Sequence, residues 1–227
     1  MPFPGLDERV AEVRERIAAR VRAGGHGQNV RIVAVTKTYG PDAIEAAFSC
    51  GLQDVGENRV QEALDKMPKV TVPVAWHLIG HLQRNKVRHL DRFAMLHSLD
   101  SSRLAQAVDA DARANGRRHR VLVQVNASGE ASKGGFTLLE LAREAARLRD
   151  LDGLDVRGAM TMAPLDADER TLRATFGGAR AARDILRDAG LPATELSMGM
   201  SGDFEVAVEE GATMVRLGTL LFGARPQ

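Results

Sequence analysis

The chain has 227 residues, 44% of them hydrophobic, enough for one large domain or two small ones with a sizeable buried core. Its 31 Lys plus Arg nearly cancel its 30 Asp plus Glu, and a net charge of +1 leaves no electrostatic footprint for nucleic acid or an anionic membrane. Cys50 is the single cysteine, so no internal disulfide is expected; with no basic-then-apolar leader and no run of transmembrane length, a soluble cytoplasmic protein is the expectation.

Short apolar, β-branched runs alternate along the chain with longer runs of helical period. Leu6, Val10, Val13, Ile17 and Val21 form one apolar stripe, which predicts a lead-in helix ended by Gly24-Gly25. The first strand is predicted over 30–37, and a helix follows from Pro41 to Gly51. A short second strand at 54–56 precedes a helix through Val60, Ala63, Leu64 and Met67, stopped at Pro68. Strands are predicted at 74–79 and 94–99, with a short helix from Arg84 to Leu90 between them. Asp100 or Ser101 caps the helix carrying Leu104, Ala107 and Val108. Arg117-Arg118-His119-Arg120 reads as a solvated loop before the fifth strand, 121–125. Thr137 and Glu140 have capping-box spacing ahead of Leu141, Ala145 and Leu148. The sixth strand, 156–160, precedes the longest helix, traced by Leu172, Phe176, Ala179 and Leu186. A seventh strand at 195–198, a short helix from about Asp203 to Glu210 and an eighth strand at 214–217 complete the series.

Repeated strand–helix units imply a parallel sheet, and eight of them close naturally into a single (β/α)8 TIM barrel, here with an extra N-terminal helix. An open doubly wound sheet is the alternative, but no Gly-rich fingerprint follows the first strand. Such barrels typically use about 250 residues, so residues 1–227 are expected to form one domain.

The active face of a barrel lies at the carboxyl ends of its strands. Lys37, one of only five lysines, extends the most apolar strand, where desolvation would free its amine as a nucleophile; the alternative is a lysine reaching into solvent. The seventh and eighth strands run into Ser201 and Thr219, with Gly199, Gly202 and Gly218 beside them, where barrels often bind phosphate; ordinary Gly-Ser turns would look the same. Arg216, inside an apolar strand, needs an acceptor, on a ligand or on a rim carboxylate. His77 and His81 are four apart but on strand and loop, so no metal site is expected. There is no G-x-S-x-G elbow and no P-loop.

Several segments resemble the pyridoxal phosphate homeostasis proteins, the YggS/PROSC family. They are Val33-Ala34-Val35-Thr36-Lys37-Thr38, Gly56-Glu57-Asn58-Arg59-Val60-Gln61-Glu62, the specific Trp76-His77-Leu78-Ile79-Gly80-His81-Leu82-Gln83-Arg84-Asn85-Lys86, and Val125-Asn126 with 130–136. The match continues through Gly158-Ala159-Met160-Thr161-Met162, then 196–204, 215–219 and Phe222-Gly223. It implies a fold-type III pyridoxal 5'-phosphate (PLP) barrel like the N-terminal domain of alanine racemase. It implies PLP held as an imine on Lys37, phosphate held by Ser201, Gly218 and Thr219, Arg216 facing the pyridine nitrogen, and Asn58, His81 and Met198 around the cofactor. Family members are thought to buffer and distribute PLP, with apo PLP-dependent enzymes as recipients.

An amino-acid racemase or decarboxylase is the alternative. A racemase needs acid/base groups on both faces of the substrate carbon. Tyr39 is the one tyrosine, and on a continuing strand it points to the same side as Lys37, a poor place for an opposing base; His81 is a possible substitute. An arginine at the ring nitrogen also weakens the electron sink that PLP enzymes use. A monomeric, non-catalytic carrier is therefore expected.

Overall fold

The structure, a computed structural model, describes residues 3–127 and 134–223. Helix α1 (Leu6–Gly24) buries Leu6, Val10, Val13 and Ile17 and ends where Gly25 turns left-handed. Eight strands follow: β1 (Arg31–Val35), β2 (Asp54–Glu57), β3 (Ala75–Leu78), β4 (Met95–Leu99), β5 (His119–Gln124), β6 (Leu154–Met160), β7 (Glu195–Ser197) and β8 (Met214–Leu217). Every neighbouring pair is parallel and in chain order. Val33 pairs with Arg216 and Ala34 with Leu217, which closes β8 onto β1. The described residues form the (β/α)8 barrel with an N-terminal helix that the sequence periodicity predicts.

Helices α2 (Pro41–Ser49), α3 (Val60–Lys66), α4 (Ser102–Ala114), α5 (Leu138–Arg149), α6 (Glu169–Asp188) and α7 (Phe204–Glu209) surround the strands, and a short α8 (Thr219–Phe222) follows β8. Ser101, not Asp100, caps α4 by accepting from the Leu104 N–H. Thr137 and Glu140 form the full capping box at α5. The segment after β3 is a 3₁₀ helix, Arg84–Arg92, rather than an α-helix. The basic cluster is only half loop: His119 and Arg120 already belong to β5, and His119 is buried.

Alternate residues point into the barrel. Val33, Met95, Leu122, Met160 and Met214 form its inner apolar cluster, separate from the larger core between strands and helices. Among them, and sharing their registers, sit buried polar side chains: His77, His97, Ser197 and Arg216. A buried polar group costs stability unless hydrogen-bonded, so each of these needs a partner.

Strand β1 is shorter than predicted and ends two residues before Lys37. The Thr36 N–H still donates to the Gly56 carbonyl, but the backbone groups after it are taken by side chains. The Thr36 carbonyl accepts from Lys66 Nζ at 2.9 Å, and the Thr38 N–H donates to Glu62 Oε1 at 2.6 Å. The chain turns here, with Tyr39 N–H donating to the Thr36 carbonyl and Thr38 left-handed at φ 70°. Tyr39 is therefore not on a continuing strand. Its buried ring packs against Phe3 and Phe222, and its hydroxyl donates to the Gly223 carbonyl at 2.9 Å.

Candidate functional site at the carboxyl ends of the strands

The turns after β1, β2, β3, β6, β7 and β8 enclose a cavity of about 430 Å³, within the usual range for small-molecule sites. Lys37, Asn58, Ser201, Arg216, Gly218 and Thr219 all line it. Residues from opposite ends of the sequence meet there because barrel closure sets β8 beside β1.

Lys37 is half-buried, and both of its neighbours are anchored. Glu57, at the end of β2, is fully buried and accepts from Thr36 Oγ1 at 2.6 Å and from Lys66 Nζ at 2.9 Å. Lys66 Nζ also donates to Glu62 Oε1 at 2.7 Å. One ammonium thus ties two carboxylates to the backbone on either side of Lys37. Burial pushes the Glu57 carboxyl up, against the lowering effect of Thr36 and Lys66. Burial also acts on Glu62, but its bonds to Lys66 and the Thr38 amide outweigh it and hold it below the ordinary range.

Arg216 lies inside the barrel, 4% exposed, at the floor of the cavity. Its Nη1 donates to Ser197 Oγ at 2.6 Å and its Nη2 to the Thr161 carbonyl at 2.9 Å. Burial pushes its pKa down to about 10, opposed by the charge of Asp203, which also lines the cavity; it remains a cation, and so a pure donor, at pH 7. Asp203 in turn is pushed up by burial.

On the other side, Ser201 Oγ accepts from the Gly218 N–H at 3.4 Å and the Leu220 N–H at 3.2 Å. A hydroxyl and two backbone N–H groups converge there, a donor set suited to an oxyanion. Gly199 makes the close approach possible. It is left-handed at φ 92°, a Cβ on it would lie 2.7 Å from the Ala207 Cβ, and its carbonyl accepts from the Arg216 N–H. The rim is formed by 162–167, where Leu165 is 90% exposed.

Two other expected residues sit apart. The His81 side chain is 69% exposed and pairs with Asp100 Oδ2 at 2.9 Å beside a separate depression. Met198 is fully buried in the core beneath the turn after β7. The segment 130–133, part of the family-like motif and including Lys133, lies outside the described residues. Sequence reasoning passed over Glu57, Lys66 and His97. The signals were a carboxylate ending an apolar strand, the scarcity of lysine, and a histidine in the apolar run Met95-Leu96-His97-Ser98-Leu99.

A parallel eightfold barrel carrying a lysine, an arginine and an anion-suited turn at one mouth defines a class of proteins built to hold a small phosphorylated ligand. The sequence profile of the alanine racemase N-terminal domain matches residues 10–226. The pyridoxal phosphate homeostasis protein of Aquifex aeolicus is 41% identical over 222 residues, covering 96% of this chain and 97% of its own. PipY of Synechococcus elongatus with PLP bound is 36% identical with a TM-score of 0.84, over 96% of this chain and 100% of that one; without PLP the TM-score is 0.86. Alanine racemase of Corynebacterium glutamicum, at 19% identity, TM-score 0.73, 94% of this chain and 62% of that one, shares the fold. The chain belongs to the pyridoxal phosphate homeostasis proteins, within the alanine racemase N-terminal domain family.

Proposed function

We propose that this chain binds PLP at the Lys37 cavity and acts in cytoplasmic PLP homeostasis, holding the cofactor and passing it to apo PLP-dependent enzymes without robust amino-acid turnover. The observation that carries the proposal is the joining of Lys37, Arg216 and the Ser201 turn around one cavity of about 430 Å³. The residues fit the group. The Ser201 hydroxyl with the Gly218 and Leu220 amides would hold the phosphate, Thr219 beside them. Arg216 would donate to the ring nitrogen, and Asn58 would lie along the ring. When bound, PLP would supply an aldehyde carbon with which the Lys37 amine, as nucleophile, would condense with loss of one water.

Release is the reverse, so water must reach Lys37, and the cavity is open past the exposed rim residue Leu165. Weak catalysis follows from two placements. Arg216 is a pure donor and cannot give the ring nitrogen a proton at pH 7, which leaves the ring a poor electron sink. Tyr39 is locked against Phe3 and Phe222, away from the cavity. One domain over 1–227, acting as a monomer, completes the proposal. No helix among the described residues is long and apolar enough to cross a membrane.

The purified protein should be yellow, and borohydride should fix pyridoxyl on Lys37, read by peptide mass spectrometry. Loaded protein should restore an apo PLP enzyme while free PLP is trapped in a parallel control. Reduced pyridoxyl on another lysine, or multiple turnover of any amino acid that is lost in Lys37→Ala, would overturn it.

A further inference from the structure

Arg216 is the first member of a hydrogen-bonded chain that crosses the barrel from one mouth to the other. Ser197 Oγ, which accepts from Arg216, lies 2.9 Å from His97 Nδ1. His97 Nε2 lies 2.8 Å from His77 Nδ1, with the two rings edge to face. His77 Nε2 lies 2.8 Å from Asp54 Oδ1. Asp54, at the start of β2, meets Arg31 at 3.8 Å, and Arg31 meets Glu195 at 3.0 Å, at the opposite end of the barrel. There Arg31 and Asp54 line a second depression of about 580 Å³.

The protons on this chain follow from its two ends. Arg216 has no acceptor capacity, so Ser197 Oγ accepts from it and the Ser197 hydroxyl is left to donate to His97 Nδ1. His97 then carries its proton on Nε2 and donates to His77 Nδ1. His77 carries its proton on Nε2 and donates to the Asp54 carboxylate. Each imidazole nitrogen and the Ser197 hydroxyl proton is used once. Turning the bonds round would need an extra proton on the imidazoles and would leave the Ser197 hydroxyl without an acceptor among the described residues. Full burial, with the charges of Arg216 and Arg31, holds the His97 imidazolium pKa well below its ordinary value, which agrees with a neutral ring. Asp54 feels burial too, but the hydrogen bond from His77 and the charge of Arg31 hold its carboxyl below the ordinary range.

The cost of three polar side chains inside a barrel that apolar residues could fill calls for a role. We propose that His97, with Ser197, His77 and Asp54, is a positioning chain that holds the Arg216 guanidinium as a one-way donor aimed at the ring nitrogen of the bound cofactor. The proposal rests on the PLP reading of the cavity. Asp54 is the remote counter-charge, and His97, by accepting the Ser197 proton, keeps a Ser197 lone pair turned to Arg216. A guanidinium held only by the Thr161 carbonyl would be free to rotate about it, and its remaining N–H groups would lose their fixed aim.

The test compares PLP with its 1-deaza analogue, which carries C–H in place of the ring nitrogen, on the full chain. Wild-type protein should prefer PLP by about tenfold or more, the scale of one hydrogen bond to a charged group. In His97→Phe the preference should fall to near one, while binding of the deaza analogue changes little. Ser197→Ala, which removes one hydroxyl, should give the same collapse and covers the case in which His97→Phe does not fold. His97→Gln keeps an acceptor and a donor and should restore part of the preference. Long-range ¹⁵N–¹H NMR of the wild type should show both His77 and His97 protonated on Nε2. Equal weakening of both ligands in the variants, or Nδ1 protonation of either ring, would overturn the proposal. A wild type in which borohydride fixes no cofactor on Lys37 would instead sink the PLP reading beneath it.

Discussion

Lys66→Met removes the ammonium that ties Glu57 and Glu62 to the Lys37 turn, and leaves most of the side-chain volume in place. Glu57 is the decisive partner: its side chain is fully buried, and Lys66 is the only cation bonded to it among the described residues. Stranding one member of a buried pair costs about 3–5 kcal/mol. Glu62 is more exposed and adds at most about 1 kcal/mol. A loss of about 3–5 kcal/mol at pH 7 is therefore expected in urea melts. Burial already raises the Glu57 carboxyl above its ordinary 4.5, and losing Lys66 raises it further. A carboxyl raised on folding costs stability as pH rises from 4.5 through its folded value. Glu62, held low, contributes stability present above 4.5 and lost as pH falls through its lower folded value; without Lys66 that contribution shrinks. Both effects make the penalty larger at pH 7 than at pH 4.5. In the double variant Lys66→Met/Glu57→Gln the stranded charge is gone, and at least half of the loss should return. A penalty below about 1 kcal/mol at pH 7, or one that does not change with pH, would refute the account, since a merely exposed pair is worth no more.

Ser201→Ala should weaken PLP binding by roughly 1–2 kcal/mol in equilibrium dialysis. Pyridoxal should bind far more weakly than PLP, and equal affinities would remove the phosphate from the Ser201 turn. Tyr39→Phe should lose about 1 kcal/mol of thermal stability, from its bond to the Gly223 carbonyl. It should leave the spectrum of bound PLP unchanged; an altered spectrum would place the ring nearer the cofactor than its packing against Phe3 and Phe222 allows.

The eightfold alternation was legible in the sequence because it is written in local periodicity: the stripe of α1, the Thr137–Glu140 cap and the apolar runs of the strands each depend on neighbours a few residues away. Those patterns determined the architecture, and with it the end of the barrel where Lys37, Arg216 and the Ser201 turn would meet. Tertiary structure decided what lay beyond local reach. The end of β1 depends on Lys66 and Glu62 taking the backbone groups of Thr36 and Thr38, a contact across about thirty residues that no window along the chain reveals. Tyr39, two residues past the predicted strand, does not continue it for the same reason. His81, four residues from His77, went to the surface beside Asp100, while His77 turned inward to His97. A continuing strand would put residues four apart on the same face, but β3 stops at Leu78, so the two histidines part. The chain from Arg216 to Asp54 draws single residues from β8, β7, β4, β3 and β2, so it exists only once the barrel has closed. A hydrogen bond carries no sequence period, and its partners are chosen by the register of strands that meet in space.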